Sequence, residues 1–319
     1  MVRRMADRIS GLYYLTYIDN LPSILEQGIL SHNQVDARGV AYRPIFDRGI
    51  VQRRAQLKTP DNRPLWDYAN LYFQPRNPML FRVKEEVGVE NVVVVKVKAS
   101  VLNQRGVWLT DGNAAHVLSR LDLKPTKANL AVIAKQIDKQ YWTDTDDAKR
   151  AIMAECLAPD SVDPSAIECV YVARNGALLA NVQRIVSDSG LKNVGVVPEP
   201  DFFFQPRAQW RLTHTVSLAQ GDMFFSRLQT LTISVNTVGV MGKGLASRTR
   251  YQFPDVYVRY EDACRDKSLT TKTPVIVKRS KSIASEIADS TNLPQDETAT
   301  WFLLFATKTH CALEGSIEA

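Results

Sequence analysis

The chain has 319 residues, 45% of them hydrophobic and 23% charged, with a net charge of +6. That is ordinary globular usage with material for two domains or one large one, and it excludes a disordered or collagen-like chain. The longest apolar runs, such as Val92–Val95, fall far short of a membrane span, and the basic opening Met1–Asp7 has no apolar stretch behind it, so a cytoplasmic protein without a secretory signal or membrane contact is expected.

Leu12–Ile18 reads as a strand leading into a helix over Ile18–Gly28, with Asp19 or Asn20 as cap, Pro22 in the first turn and Gly28 as stop. Residues 36–64 are Arg-rich and aperiodic, the composition of a long excursion of the kind that often carries function. Tyr72-Phe73 and Asn91–Ala99 are strand-like, the second buried through its valines. Residues 128–158 are mostly helical in composition, with Asp144, Asp146 and Asp147 near the start of the last helix. Ile167–Ala173 is a strand, Ala177–Ser187 a helix and Val194–Val197 a strand stopped by Pro198. A fresh unit starts near His214. It has strands over Val216–Gln220 and Thr230–Val238, a glycine-rich turn over Gly239–Gly244, a helix over Leu245–Cys264 broken at Pro254, and strands over Thr273–Val277 and Thr300–Ala306. Strand, glycine turn, helix and strand make an α/β pattern. The division expected is 1–213 and 214–319.

Four cysteines without a C-x-x-C pair and four scattered histidines give no metal-ligand spacing, so no metal is expected. Residues 1–213 carry 28 Lys and Arg against 23 Asp and Glu, nearly all of the basic excess, which suits a polyanionic partner without requiring one.

The residues that can carry chemistry lie in separate segments. They are Tyr13-Tyr14-Leu15-Thr16-Tyr17-Ile18-Asp19-Asn20-Leu21, the pair Arg53-Arg54, the block Tyr72-Phe73-Gln74-Pro75-Arg76-Asn77-Pro78-Met79-Leu80, the turn Thr110-Asp111-Gly112-Asn113-Ala114, and Glu155 among apolar neighbours. Read singly, each has a structural explanation. In this order, over roughly residues 10–212, they resemble the DarT family of DNA ADP-ribosyltransferases. The resemblance implies an ADP-ribosyltransferase fold of α/β type that takes NAD as substrate and modifies thymidine in single-stranded DNA. It implies Arg54 and Glu155 as central catalytic residues and places Tyr14, Leu15, Thr16, Ser23, Leu30 and Arg54 where the family holds NAD. The family usually has histidine where this chain has Tyr14 and Tyr17. A carboxylate suits the positive charge that develops on the ribose as nicotinamide leaves, and a guanidinium suits phosphates or a base edge. Glu155 is expected to be removable with little loss of stability.

Asp222-Met223, then Asn236-Thr237-Val238 and Gly242-Lys243-Gly244, and later Lys308, resemble the macrodomain of DarG, the antitoxin partner of DarT. The resemblance implies contacts of Asp222 to adenine, Asn236 to the distal ribose, the glycine turn to pyrophosphate, and Lys308 to the linkage with thymine. A second phosphate loop is not found before the sequence stops, so a partial macrodomain is expected, with a DarG-type antitoxin in trans as a further partner. Two other readings stay open: a catalytically silent NAD- or ADP-ribose-binding module, and a transferase whose acceptor is RNA or protein.

Overall fold

The structure is a computed structural model that describes residues 9–45, 54–139, 141–142, 147–226, 228–279 and 300–310. The first unit is built from β1 (Leu12–Tyr17), α1 (Leu21–Gln27), β2 (Ile29–Leu30), α2 (His32–Ala37), β3 (Tyr68–Tyr72), α3 (Pro78–Val87) and β4 (Val92–Val97). It continues through β5 (Trp108–Leu109), α4 (Lys127–Ile137), α5 (Ala148–Ala151), β6 (Glu155–Pro159), β7 (Ser161–Val162), β8 (Ile167–Val172), α6 (Ala177–Asp188) and β9 (Gly195–Pro198). A hairpin of β10 (Ala208–Arg211) and β11 (Ser217–Gln220) follows. With this hairpin included, the first compact unit reaches Gly221.

The main sheet runs β5-β6-β3-β1-β4-β8-β9, antiparallel except for β8 and β9. Its centre is the valine run: Val92–Val95 are fully buried. Val93, Val95 and Val97 pack with Leu12, Leu71 and Val170 in one core cluster. Each such side chain contributes about 1.5–3 kcal/mol by leaving water. The register of β1 on β4, Tyr14 opposite Val95 and Thr16 opposite Val93, fixes which side chains of the opening segment share a face. Gly28 has φ +86°, and a Cβ there would collide with the Val162 carbonyl, so only glycine lets α1 turn directly into β2.

The mostly helical stretch expected over residues 128–158 gives way to strand at its end; Asp144 and Asp146 lie outside the described residues. Glu155 lies on β6 and not on a helix; β6 pairs with β3 from Tyr68–Pro159 to Tyr72–Glu155. The Ala-, Met- and Leu-rich sequence favours helix locally, but burial between β5 and β3 decides. Helix α3, capped by the Asn77 side chain at the Leu80 N–H (3.0 Å), was not legible as a helix behind its prolines.

The second unit contains Trp142 and the residues from Asp222 onward. It has β12 (Thr230–Asn236), α7 (Gly244–Gln252), α8 (Pro254–Arg265), β13 (Val275–Lys278) and β14 (Trp301–Lys308). The sheet order is β12-β14-β13, with β12 and β14 parallel. Phe224, Phe253 and Phe302 pack in series, with ring centroids 5.7 and 5.0 Å apart. Both units are mixed α/β, as expected. Among the described residues, no helix is long and apolar enough to cross a membrane, and no group of three or more His, Cys, Asp or Glu side chains is placed to hold a metal ion.

Candidate functional site

The site of the first unit forms around Glu155. Its backbone is locked to the turn after β5: Thr110 N–H donates to the Glu155 carbonyl at 2.9 Å, and Glu155 N–H donates to Thr110 Oγ at 2.9 Å. The carboxylate accepts from Ala114 N–H (2.9 Å) and from both guanidinium nitrogens of Arg54, at 3.2 and 2.6 Å. The Glu155 side chain is 1% exposed and that of Arg54 13%. Burial alone would lower the Arg54 pKa, but the adjacent carboxylate outweighs it and moves it up. Arg54 is therefore a fixed cation in this site. Arg53 lies outside the described residues.

Near this pair lies a cavity of about 90 Å³, walled by β1, α1, β2 and the segment after α2. Tyr14, Thr16, Ser23 and Leu30 line it, so four of the expected NAD-holding residues share one wall space. Leu15 does not: it alternates to the other face of β1 and is buried. Burial pushes the Tyr14 phenol up to about 12, with Tyr42 adding to it, so this group stays a protonated donor and acceptor at neutral pH. Tyr72 sits opposite Glu155 in the β3–β6 register, and burial followed by the Glu155 charge raises its phenol as well.

Residues for which no binding role was expected complete the cavity, among them Asn20, expected only as a helix cap, with His32, Tyr42 and Arg43. Asn20 donates to the Arg43 carbonyl (2.8 Å) and to Thr16 Oγ (3.1 Å), and its own carbonyl accepts from Arg43 N–H (2.7 Å). That clasp holds the segment ending at Ile45 against β1 and α1. His32 stacks on Trp66 with ring centroids 4.8 Å apart, and Tyr42 meets His32 edge-on at 6.1 Å. Burial lowers the His32 pKa; Asp36 opposes this and the Arg54 charge reinforces it. The clasp partners are 23 residues apart in the chain, so no local pattern announces them.

In the second unit, the parallel strands β12 and β14 end together, with Asn236 in register with Lys308. Ligands of α/β sheets gather at such C-terminal strand ends. Asn236 is 4% exposed and its amide is occupied by its own turn. It accepts from Val238 and Val240 N–H (3.0 and 3.4 Å) and from Tyr260 Oη (2.8 Å), and donates to the Val240 carbonyl (2.6 Å). Asp222 caps the turn Met223–Phe225 at Phe224 N–H and pairs with Arg248 at 2.8 Å. Gly242, Lys243 and Gly244 are exposed at the start of α7, which no side chain caps; Thr237 is half-buried and Val238 exposed.

The buried, bidentate Arg54–Glu155 pair and the neighbouring cavity lined by Tyr14 and Tyr42 make up the candidate site of this unit. Residues 13–204 match the family model described as ssDNA thymidine ADP-ribosyltransferase, DarT. The chain is 46% identical over 308 residues to a DNA ADP-ribosyl transferase–DNA ADP-ribosyl glycohydrolase fusion protein of Thermosipho africanus, covering 96% of this chain and 78% of that protein. It is 30% identical over 186 residues to a DNA ADP-ribosyl transferase of a Thermus species, covering 55% of this chain and 88% of that one. Among solved structures, Thermosipho africanus DarTG in complex with ADP-ribose superposes with a TM-score of 0.88 at 44% identity, over 96% of this chain and 79% of that one. The chain belongs to the DarT family of single-stranded-DNA thymidine ADP-ribosyltransferases.

Proposed function

We propose that the first unit transfers ADP-ribose from NAD to thymine in single-stranded DNA, with Arg54 and Glu155 as its catalytic pair and Tyr14, Thr16, Ser23 and Leu30 around the bound NAD. The observation that carries this reading is the buried, bidentate contact between Arg54 and Glu155 beside the cavity. Departure of neutral nicotinamide leaves positive charge on the ribose, and a fixed carboxylate stabilises that charge without reorganising. A thymine N–H attacks the ribose carbon and must lose its proton as the new bond forms. Arg54, held protonated by its partner, cannot take that proton; it orients the base and phosphates, and Glu155 is the acceptor in the pair. Modification of DNA in this way is the act of a toxin, and the fused unit is the antitoxin-like partner. In that unit the Asp222 and Asn236 side chains are engaged internally, so the backbone of the glycine turn at the α7 start is the group best placed to meet a pyrophosphate.

The test is incubation of the full chain with NAD and three oligonucleotides, read by intact mass. One ADP-ribose is expected on a thymine-containing single strand, none on a thymine-free strand, and much less on a duplex, where the base edge is hidden. Labelling independent of thymine contradicts the acceptor assignment. A second reading, a silent NAD-binding module, is favoured by one observation: both Glu155 oxygens are engaged by Arg54 in the structure. Bound NAD without any transfer would establish it.

A further inference from the structure

The loop after β5 is built more firmly than a surface turn requires. Arg150, 9% exposed, donates to the Asp111 carbonyl (3.2 Å), to Asp111 Oδ1 (2.8 Å) and to Ser119 Oγ (3.1 Å), and pairs with Asp147. Asp111 Oδ1 also accepts from Arg120 N–H at 2.9 Å. Between these anchors, His116 N–H donates to the Asn113 carbonyl and Ser119 N–H to the His116 carbonyl, both at 2.9 Å. A Cβ on Gly112 would run into the backbone carbonyl and side chain of Arg150, so this end of the loop has no slack. On this scaffold stand Val117 and Leu118, 94% and 70% exposed.

A single exposed apolar residue needs no explanation, but two in succession, held out by a buried arginine network, do. The inner end of the same loop is Ala114, whose N–H holds Glu155. Three peptide steps put the Val117 Cα at most about 11 Å from that of Ala114. We propose that Val117 and Leu118 form an apolar wedge that packs against the nucleobase next to the target thymine, holding the single strand unstacked at Glu155. The inference rests on the proposed transfer to DNA. Two side chains are far too small a patch for a stable protein interface, which needs about 800 Å² per partner, but they match the face of one base. Apolar side chains inserted at base steps are a general means of unstacking nucleic acid. Arg120, in an exposed pair with Asp122, and Lys124, over the Trp108 ring, flank the tip with cations for the backbone.

The test is the double variant Val117→Ser/Leu118→Ser of the full chain. Three quantities are measured: NAD hydrolysis without DNA, steady-state transfer to a thymine oligonucleotide, and transfer to the same strand with abasic residues flanking the thymine. The expected result is a KM for oligonucleotide raised at least tenfold, kcat within about threefold, and unchanged NAD hydrolysis. The parent loses a similar factor on the abasic strand and the variant loses nothing further. Val117→Ile/Leu118→Met keeps the parent KM. An unmoved oligonucleotide KM, or an abasic penalty that persists undiminished in the serine variant, overturns the wedge while leaving the transferase intact. A parent dimer split by the serine variant with unmoved KM would assign the tip to a second copy of the chain instead. A parent that hydrolyses NAD but labels no oligonucleotide overturns the DNA reading itself.

Discussion

Glu155 and Asn236 occupy comparable positions, each at one end of a strand and each almost wholly buried, but their polar atoms serve different ends. The Glu155 carboxylate is held by a neighbouring loop amide and by a cation from a distant segment, so its bonds join groups that are far apart in the chain. The Asn236 amide bonds the turn that follows it and the Tyr260 hydroxyl, so it defines the shape of that turn. The first arrangement keeps a charge fixed but exchangeable with substrate; the second spends a side chain on architecture. Two residues that stand out equally in their motifs therefore differ in function, and only the bonding around them shows it.

The sharpest way to break this contrast is to truncate both. Glu155→Ala is expected to lower transfer by about 10³-fold or more. It also strands Arg54 in a buried site, at a cost of about 3 kcal/mol in denaturant unfolding. That revises the expectation that this carboxylate is removable without harm to the fold. Arg54→Lys, unable to make two parallel bonds, is expected to lose about 10²-fold in transfer from misplacement alone. Asn236→Ala is expected to leave transfer unchanged and to cost about 2 kcal/mol in unfolding of the second unit, with Tyr260→Phe costing about 1 kcal/mol. Loss of transfer in Asn236→Ala, with an unchanged unfolding midpoint, would invert the contrast.

Smaller effects sharpen the picture of the cavity. Tyr14 is half-buried at the cavity wall and its phenol stays protonated, so it offers one hydroxyl where the family usually has an imidazole. Tyr14→His is expected to raise initial transfer rates a few-fold; a slower variant would show that the cavity has adapted to the phenol. His32 provides a pH readout. Its folded pKa is depressed, chiefly by burial, so its contribution to stability is fully present above its ordinary value of about 6.5 and is lost as pH falls towards the folded value. The melting temperature of the parent is expected to drop between pH 7.5 and 5.5 more than that of His32→Gln. Equal slopes would exclude His32 as the source.

The legible parts of the molecule were those set by local pattern. The valine run announced β4, Gly28 the end of α1, and the Gly239–Gly244 stretch the turn before α7. The family resemblance, rather than local pattern, led to four cavity residues, Tyr14, Thr16, Ser23 and Leu30. Glu155 was found as a residue but not as part of a strand, because Ala, Met and Leu around it favour helix and only the partners β3 and β5 impose a strand. The Asn20–Arg43 clasp, the His32–Trp66 stack and the Arg150 brace join residues far apart in sequence, and periodicity carries no trace of such pairs. Asn236 shows the converse: its motif was conspicuous, but its bonding partner Tyr260 lies on α8, out of reach of any reading of the turn alone.

The central claim is that the Arg54–Glu155 pair is where transfer occurs. The direct measurement is Glu155→Gln, a near-isosteric change that keeps the acceptor carbonyl for Ala114 and one contact for Arg54, assayed at saturating NAD on a thymine-containing single strand. NAD affinity, measured by titration, is expected to remain within a few-fold of the parent, while single-turnover transfer falls to background. Near-parent transfer in Glu155→Gln would contradict the assignment and place the chemistry on another residue.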